Sequence, residues 1–171
     1  MPMRVPYRKP TKFSNLAFDP LMTTGKFLEL KTTLDKLKKS QPGAAKEVMR
    51  LAELGDFSEN VEYQLAKGRL RAINQHILVT ESRLNQAVMI APQTQSNTIQ
   101  IGHMVTVLVG GKEKKYTILG SSETHPERGI ISNQSPIGEA LLGHHIGDRV
   151  HVMIGQKEVE YHIQKIEPSN F

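Results

Sequence analysis

Leu51-Ala52-Glu53-Leu54-Gly55-Asp56-Phe57-Ser58-Glu59-Asn60-Val61-Glu62-Tyr63 joins two long stretches of helical periodicity, and its reading decides the fold. Gly55 is placed to end a helix, because glycine tolerates the left-handed conformation that closes many of them. Ser58 is expected to cap the next helix, with Glu62 and Tyr63 just inside it. Upstream, Thr23 or Thr24 suits an N-cap, and Phe27, Leu30, Leu34, Leu37, Ala44, Val48 and Leu51 form a heptad seam with a weak position at Gln41. Pro42-Gly43 predicts a kink or short break, since proline removes a donor and clashes with the preceding turn. Downstream, Val61, Leu70, Ile73, Ile77, Leu84 and Val88 continue the pattern, with Thr80 or Glu81 as the weak point. The second helix is expected to run to about Val88, before Pro92. Two helices joined by a tight turn at 55–58 make an antiparallel hairpin. About 30 residues at about 1.5 Å each give a rod of roughly 45 Å, whose use is reach more than stability.

Outward from this hairpin the pattern changes. Residues 1–20 carry Pro2, Pro6, Pro10 and Pro20 with Arg4, Arg8, Lys9 and Lys12, and read as a basic, irregular arm. Residues 21–91 are the coiled-coil hairpin with its acidic tip at 55–60. Residues 92–100 read as a polar linker. From 101 to 171 the period becomes that of strands, rich in Val and Ile, at 104–109, 115–119, 129–132, 149–154 and 158–166. Gly110-Gly111 and Gly155-Gln156 suit hairpin turns, and Ile137, Leu141 and Leu142 suggest a short helix on the sheet. The fold class is α+β: a helical hairpin, then a small antiparallel sheet with one short helix.

The chain has 171 residues, no cysteine and no tryptophan, and 5% of it is aromatic. Disulfides and thiolate metal sites are excluded, and a large aromatic core is not expected. No apolar run is long enough to span a membrane, and the N-terminus lacks the apolar segment of a secretory signal. The net charge of +5 is uneven: residues 1–90 hold 15 Lys and Arg against 9 Asp and Glu, whereas residues 91–171 hold 7 against 8. The basic half suits a polyanion such as nucleic acid, or is simply a solvated helical face. Seven histidines carry no ligand spacing: His144 and His145 are adjacent, about 100° apart on a helix, and His103, His151 and His162 fall on strands as surface or pocket residues. Ser135 has no His–Asp arrangement near it, and Gly110-Gly111-Lys112 is too short for a phosphate loop.

Asp56 and Glu59 stand three apart across a helix start, a spacing that brings two carboxylates to one side of the tip. Acids there stabilise the helix dipole by about 0.3–1 kcal/mol each, which accounts for them without any chemistry. The other reading is a Mg²⁺ site, because this ion takes oxygen ligands and accepts a shell completed by another molecule. Two metal ions then stabilise the attacking and leaving oxygens of a phosphodiester displacement.

The segment Gly55–Tyr63 resembles the hairpin tip of the GreA/GreB family of bacterial transcription elongation factors. Gln64, Lys67 and Arg69-Leu70-Arg71 look closer to the GreB branch. Ile131-Ser132-Asn133-Gln134-Ser135-Pro136-Ile137-Gly138, with Ala140–Gly143 and Gly147-Asp148, resembles the family's C-terminal domain, and Met22–Lys38 its first helix. The likeness covers roughly residues 21–168. It implies an FKBP-like sheet domain without isomerase activity that docks at the rim of the secondary channel of RNA polymerase, through Ser135, Pro136 and Ile137. It implies a hairpin that enters the channel. At its tip Asp56 and Glu59 help to bind a Mg²⁺ shared with the polymerase active site, and the polymerase then cuts its own backtracked transcript. Asn60 and Tyr63 match positions that support the tip, and Lys67, Arg69 and Arg71 would lie near the nascent RNA 3′ end. The implied protein is a cytoplasmic monomer, not an enzyme by itself, and holds no metal tightly alone. The chain departs from the family pattern in its longer arm, in Phe57, and in Gln134 where some members have an acid.

Three other readings compete. A channel-binding regulator or inhibitor of polymerase would share the fold. A structural adaptor would be indifferent to the tip acids. An autonomous nuclease would cut RNA with Mg²⁺ and no polymerase.

Overall fold

The protein is described from a computed structural model, which places residues 19–55, 60–91, 94 and 96–169. The first long helix, α1, spans Thr24–Glu53, and the second, α2, spans Val61–Asn85. Every expected seam position of α1, from Phe27 to Leu51, is buried or half-buried. Leu51 is the deepest, 2% exposed. At the weak position, Gln41 Nε2 donates to Asn74 Oδ1 of α2 at 2.7 Å, so the polar layer is matched across the rod. Lys38 and Glu81 bridge the two helices at 2.6 Å. Thr80 is buried and donates its hydroxyl to the His76 carbonyl at 2.7 Å.

Several expectations need correction. The helix runs through Pro42 without a break. Proline removes one donor, the bond toward the Lys38 carbonyl, and the seam on both sides holds the turn in place. In α2 the buried stripe uses Ala66, Leu70, Ile73, Ile77, Thr80 and Leu84, whereas Val61 is 69% exposed at the first helical position. The helix stops at Asn85, short of Val88. Val88–Met89 is instead a two-residue strand, β2, parallel to β1 at Leu21–Met22. The Val88 N–H donates to the Pro20 carbonyl at 2.8 Å and the Ile90 N–H to that of Met22 at 2.9 Å. This pair ties the two ends of the hairpin together and buries Met22 completely.

The sheet comprises β3 (His103–Val109), β4 (Lys112–Leu119), β5 (Ile130–Ser132), β6 (Arg149–Ile154) and β7 (Lys157–Pro168), in the order β5-β4-β3-β7-β6. The β3–β4 turn places Gly110 and Gly111 at φ 55° and 77°, the pair of positive values that a two-residue hairpin demands. Gly155-Gln156 links β6 to β7, with Gly155 at φ 65°. The sheet is mixed rather than purely antiparallel, because β5 lies parallel to β4. Val105, Val107, Ile118, Val152 and Ile163 face the core, with Leu141 of the short helix α3 (Pro136–Leu141) fully buried on top. In β7 the inward positions run Tyr161, Ile163, then Ile166. The register opposite Thr106 and Val107 skips one residue, Gln164, and such a bulge flips the parity of a strand.

Two residues differ from their sequence reading here. Ile99, assigned to a polar linker, is 1% exposed in the core, with its backbone bonded to Gly143 and His144. His103, read as a surface or pocket residue, is fully buried. Its Nδ1 accepts from the Gln100 N–H at 3.0 Å, so the proton sits on Nε2, which faces the Thr94 carbonyl at 3.2 Å. Among the described residues, no helix is long and apolar enough to cross a membrane.

Candidate functional site

The tip is built by two helix ends. At the end of α1 the backbone turns at Leu54, and Gly55 follows at φ 73° with its N–H on the Ala52 carbonyl at 3.3 Å. The start of α2 is capped by Asn60, whose Oδ1 accepts from the Tyr63 N–H at 3.1 Å. Asn60, and not the expected Ser58, is therefore the N-cap. Asp56, Phe57, Ser58 and Glu59 lie outside the described residues. The four positions are bracketed by a left-handed glycine on one side and a capped helix on the other. Both brackets sit at the far end of a rod whose other end meets the sheet domain.

Of the basic residues expected near RNA, the helix separates one from the other two. Lys67 and Arg71 are four apart and share a face, whereas Arg69 lies about 200° around from each. Lys67 sits 5.7 Å from the centre of the Tyr63 ring, a cation–π contact worth about 0.5–1 kcal/mol at an exposed site. Tyr63 thus orients the lysine nearest the tip. Arg69 faces α1 and lines, with Glu47, Arg50, Leu51 and Glu62, a shallow groove of about 320 Å³. Glu47 is held below the ordinary carboxylate range by its hydrogen bonds from Arg50, with the charges of Arg50 and Arg69 acting the same way.

The second candidate surface is the loop before α3. Ser135 caps that helix: its Oγ accepts from the Gly138 N–H at 3.1 Å and donates to the Ser132 carbonyl at 2.7 Å. Pro136 occupies the first helical turn and is exposed, while Ile137 packs partly against the core. The hydroxyl of Ser135 is consumed inside the loop, so Pro136 is the member of the trio with the most surface to offer. Gly138 is required here, since a Cβ would lie 2.1 Å from the Ser132 carbonyl oxygen. Beyond α3, Asp148 accepts from the His145 N–H at 2.8 Å. That bond, helped by the neighbouring His144 ring, holds the Asp148 carboxyl below the ordinary pKa of an aspartate.

Sequence reasoning did not anticipate Asp19, Ser121 or Glu123, which join the hairpin base to the sheet domain. No local signal marks them, because each bond spans about a hundred residues of chain.

Two long helices paired as a rod and mounted on a small mixed sheet define the class: a helical hairpin carried by a sheet domain. The description "Transcription elongation factor, N-terminal" matches residues 20–89, and "Transcription elongation factor, GreA/GreB, C-term" matches residues 93–168. The chain belongs to the GreA/GreB family of transcription elongation factors. It is 39% identical over 134 residues to the transcription elongation factor GreA of Macrococcus caseolyticus, covering 77% of this chain and 85% of that protein. It is 37% identical over 149 residues to GreA of Nautilia profundicola, covering 85% and 92%. The solved structure of GreA factor homolog 1 of Thermus thermophilus overlaps with a TM-score of 0.40 at 23% identity, covering 86% of this chain and 97% of that one. The curated relatives carry the name GreA, which gives no support to the GreB leaning read from Gln64, Lys67 and Arg69–Arg71.

Proposed function

We propose that this chain binds RNA polymerase through its secondary channel and stimulates the polymerase to cleave its own backtracked transcript. The observation that carries the reading is the bracketed tip: Gly55 turning left-handed and Asn60 capping α2, with two carboxylates in the four residues between, at the end of a long rod. Family membership supports the same partner and the same use of the rod. The sheet domain, with Ile99 in its core, is the docking part, the hairpin with Asp19 and Pro20 at its base is the reaching part, and the residues before Asp19 are the arm.

Asp56 and Glu59 supply hard carboxylate oxygens, the donor type that Mg²⁺ prefers. Two carboxylates alone make a weak site, so the ion is held only when the polymerase completes its shell. When bound, the ion stabilises charge on the phosphodiester oxygens being exchanged. Asn60 fixes the first turn of α2, which follows these acids in the chain, and Tyr63 orients Lys67 one turn further on. Lys67 and Arg71 face the extruded RNA 3′ end, and Arg69 serves the hairpin's own groove. Ser135 shapes the docking loop, and Pro136 with the exposed edge of Ile137 meets the polymerase. The chain is not an enzyme by itself; it acts in the cytoplasm, as a monomer, on a partner that owns the active site.

The test is end-labelled RNA in a stalled, backtracked bacterial elongation complex. The protein is expected to speed transcript shortening, and with Mg²⁺ but no polymerase it is expected to cut nothing. Cleavage of free RNA by the purified chain would replace this reading with that of an autonomous nuclease.

A further inference from the structure

Two carboxylates cross between the hairpin base and the sheet domain, in opposite directions. Asp19, just before β1, is 5% exposed. Its Oδ2 accepts from the Ser121 N–H at 2.8 Å and from the Ser121 hydroxyl at 3.0 Å, and its Oδ1 accepts from the Leu21 N–H at 3.1 Å. Glu123, on the sheet side, returns the contact. Its Oε2 accepts from the Thr23 N–H at 2.8 Å and its Oε1 from the Thr23 hydroxyl at 2.5 Å.

Thr23 is the N-cap of α1, and its Oγ1 also accepts from the Lys26 N–H at 3.2 Å. A helix N-terminus favours an anion, yet the first turn of α1 contains no acid. Glu123 supplies that anion from the other domain. Gly120 lets the backbones touch, since a Cβ there would lie 1.9 Å from the Leu21 carbonyl oxygen. The network then continues toward the docking loop. The Ser121 proton is committed to Asp19, so Ser132 is the donor in the 2.8 Å contact between the two hydroxyls. Ser132 Oγ in turn accepts from the Gln134 N–H at 3.0 Å.

We propose that Asp19 and Glu123 are positioning residues: a two-point clamp that fixes the direction of the hairpin relative to the docking loop, so that docking aims the tip. The proposal rests on the functional reading above. The lever arm is what makes the clamp matter. A tilt of about 5° at the base moves the end of a rod of roughly 45 Å by about 4 Å. A misplacement of about 1 Å at a reacting centre can cost about a hundredfold in rate.

The chain has no cysteine, so spin labels can be attached through Lys39→Cys on α1 and Lys112→Cys at the β3–β4 turn, both exposed positions. The labelled parent is expected to give one narrow distance distribution. Adding Asp19→Ala with Glu123→Ala is expected to broaden it by several ångströms and to lower cleavage stimulation between about tenfold and a hundredfold, with polymerase affinity unchanged. Glu123→Gln keeps the size of the side chain and removes its charge, and gives the same comparison should the double variant not fold. An unchanged distribution overturns the clamp, and so does a broadened one with full stimulation. A parent that stimulates no cleavage overturns the functional reading instead, and the distance distributions then decide the clamp alone.

Discussion

Replacing Asn60 by alanine takes away the side-chain acceptor that Asn60 offers the Tyr63 N–H at 3.1 Å. Losing such a cap costs about 1 kcal/mol, within a range of about 0.5–2. The first two residues of α2 add little burial to hold it. Val61 is 69% exposed and Glu62 is exposed, and the nearest well-buried seam residues are Leu51 and Ala66. The cost therefore falls on local fraying rather than on the whole rod. About 1 kcal/mol is a factor of about five in the open population. Hydrogen exchange at the Tyr63 amide should accelerate about fivefold, with exchange at Ile73 and Ile77 in mid-rod unchanged. Asn60→Asp, which caps equally well and suits the helix dipole, should restore protection. Stimulated cleavage should fall with Asn60→Ala and recover with Asn60→Asp, since the turn that frays is the one behind the tip acids. Unaltered exchange at Tyr63 in the alanine variant would refute the capping role and with it the account of how the tip is held.

Pro136→Ala should weaken polymerase binding while leaving the melting temperature near that of the parent, because Pro136 is exposed; a binding titration with unchanged affinity would move docking elsewhere. Ile137→Asp is a poorer test, since Ile137 packs against the core and its loss is expected to lower stability too. Gly138→Ala should destabilise by about 1–3 kcal/mol in a thermal melt, as the new methyl meets the Ser132 carbonyl oxygen. The Asp148 pKa lies below its ordinary value in the folded protein, so the stability it adds is present above about pH 4 and is lost as pH falls through the lowered value. Asp148→Asn should flatten that acid-side slope in melts between about pH 2 and 5, and an unchanged slope would assign it to other carboxylates.

The heptad seam of α1 was legible because burial along a rod repeats every three or four residues, and all eight positions, Gln41 included, are buried or half-buried. The strands showed through Val and Ile runs and glycine pairs, and Arg149–Ile154 matches to the residue. What failed was decided by distance or by neighbours. Pro42 breaks no helix because seam contacts on both sides outweigh one lost bond. Asn60 and Ser58 are equally good caps by type, and only the observed bond to Tyr63 distinguishes them. The β1–β2 pair is too short for any period, and its partners are 67 positions apart. His103 and Ile99 sit in the core because the chain crosses back over them, which no local pattern announces. The parallel pairing of β5 with β4 depends on the connection through two short 3₁₀ turns, at Ser121–Glu123 and Pro126–Arg128. The tip acids themselves were legible only by family resemblance, since dipole stabilisation explains Asp56 and Glu59 equally well from physics alone.

The most direct measurement is cleavage in a stalled, backtracked elongation complex with end-labelled RNA, comparing the parent chain with Asp56→Asn/Glu59→Gln while polymerase affinity is followed in parallel. The account predicts rapid shortening with the parent, loss of stimulation in the double variant, and nearly equal affinity for the two. Equal stimulation by both proteins, or loss of binding together with cleavage, would contradict the assignment of the tip carboxylates.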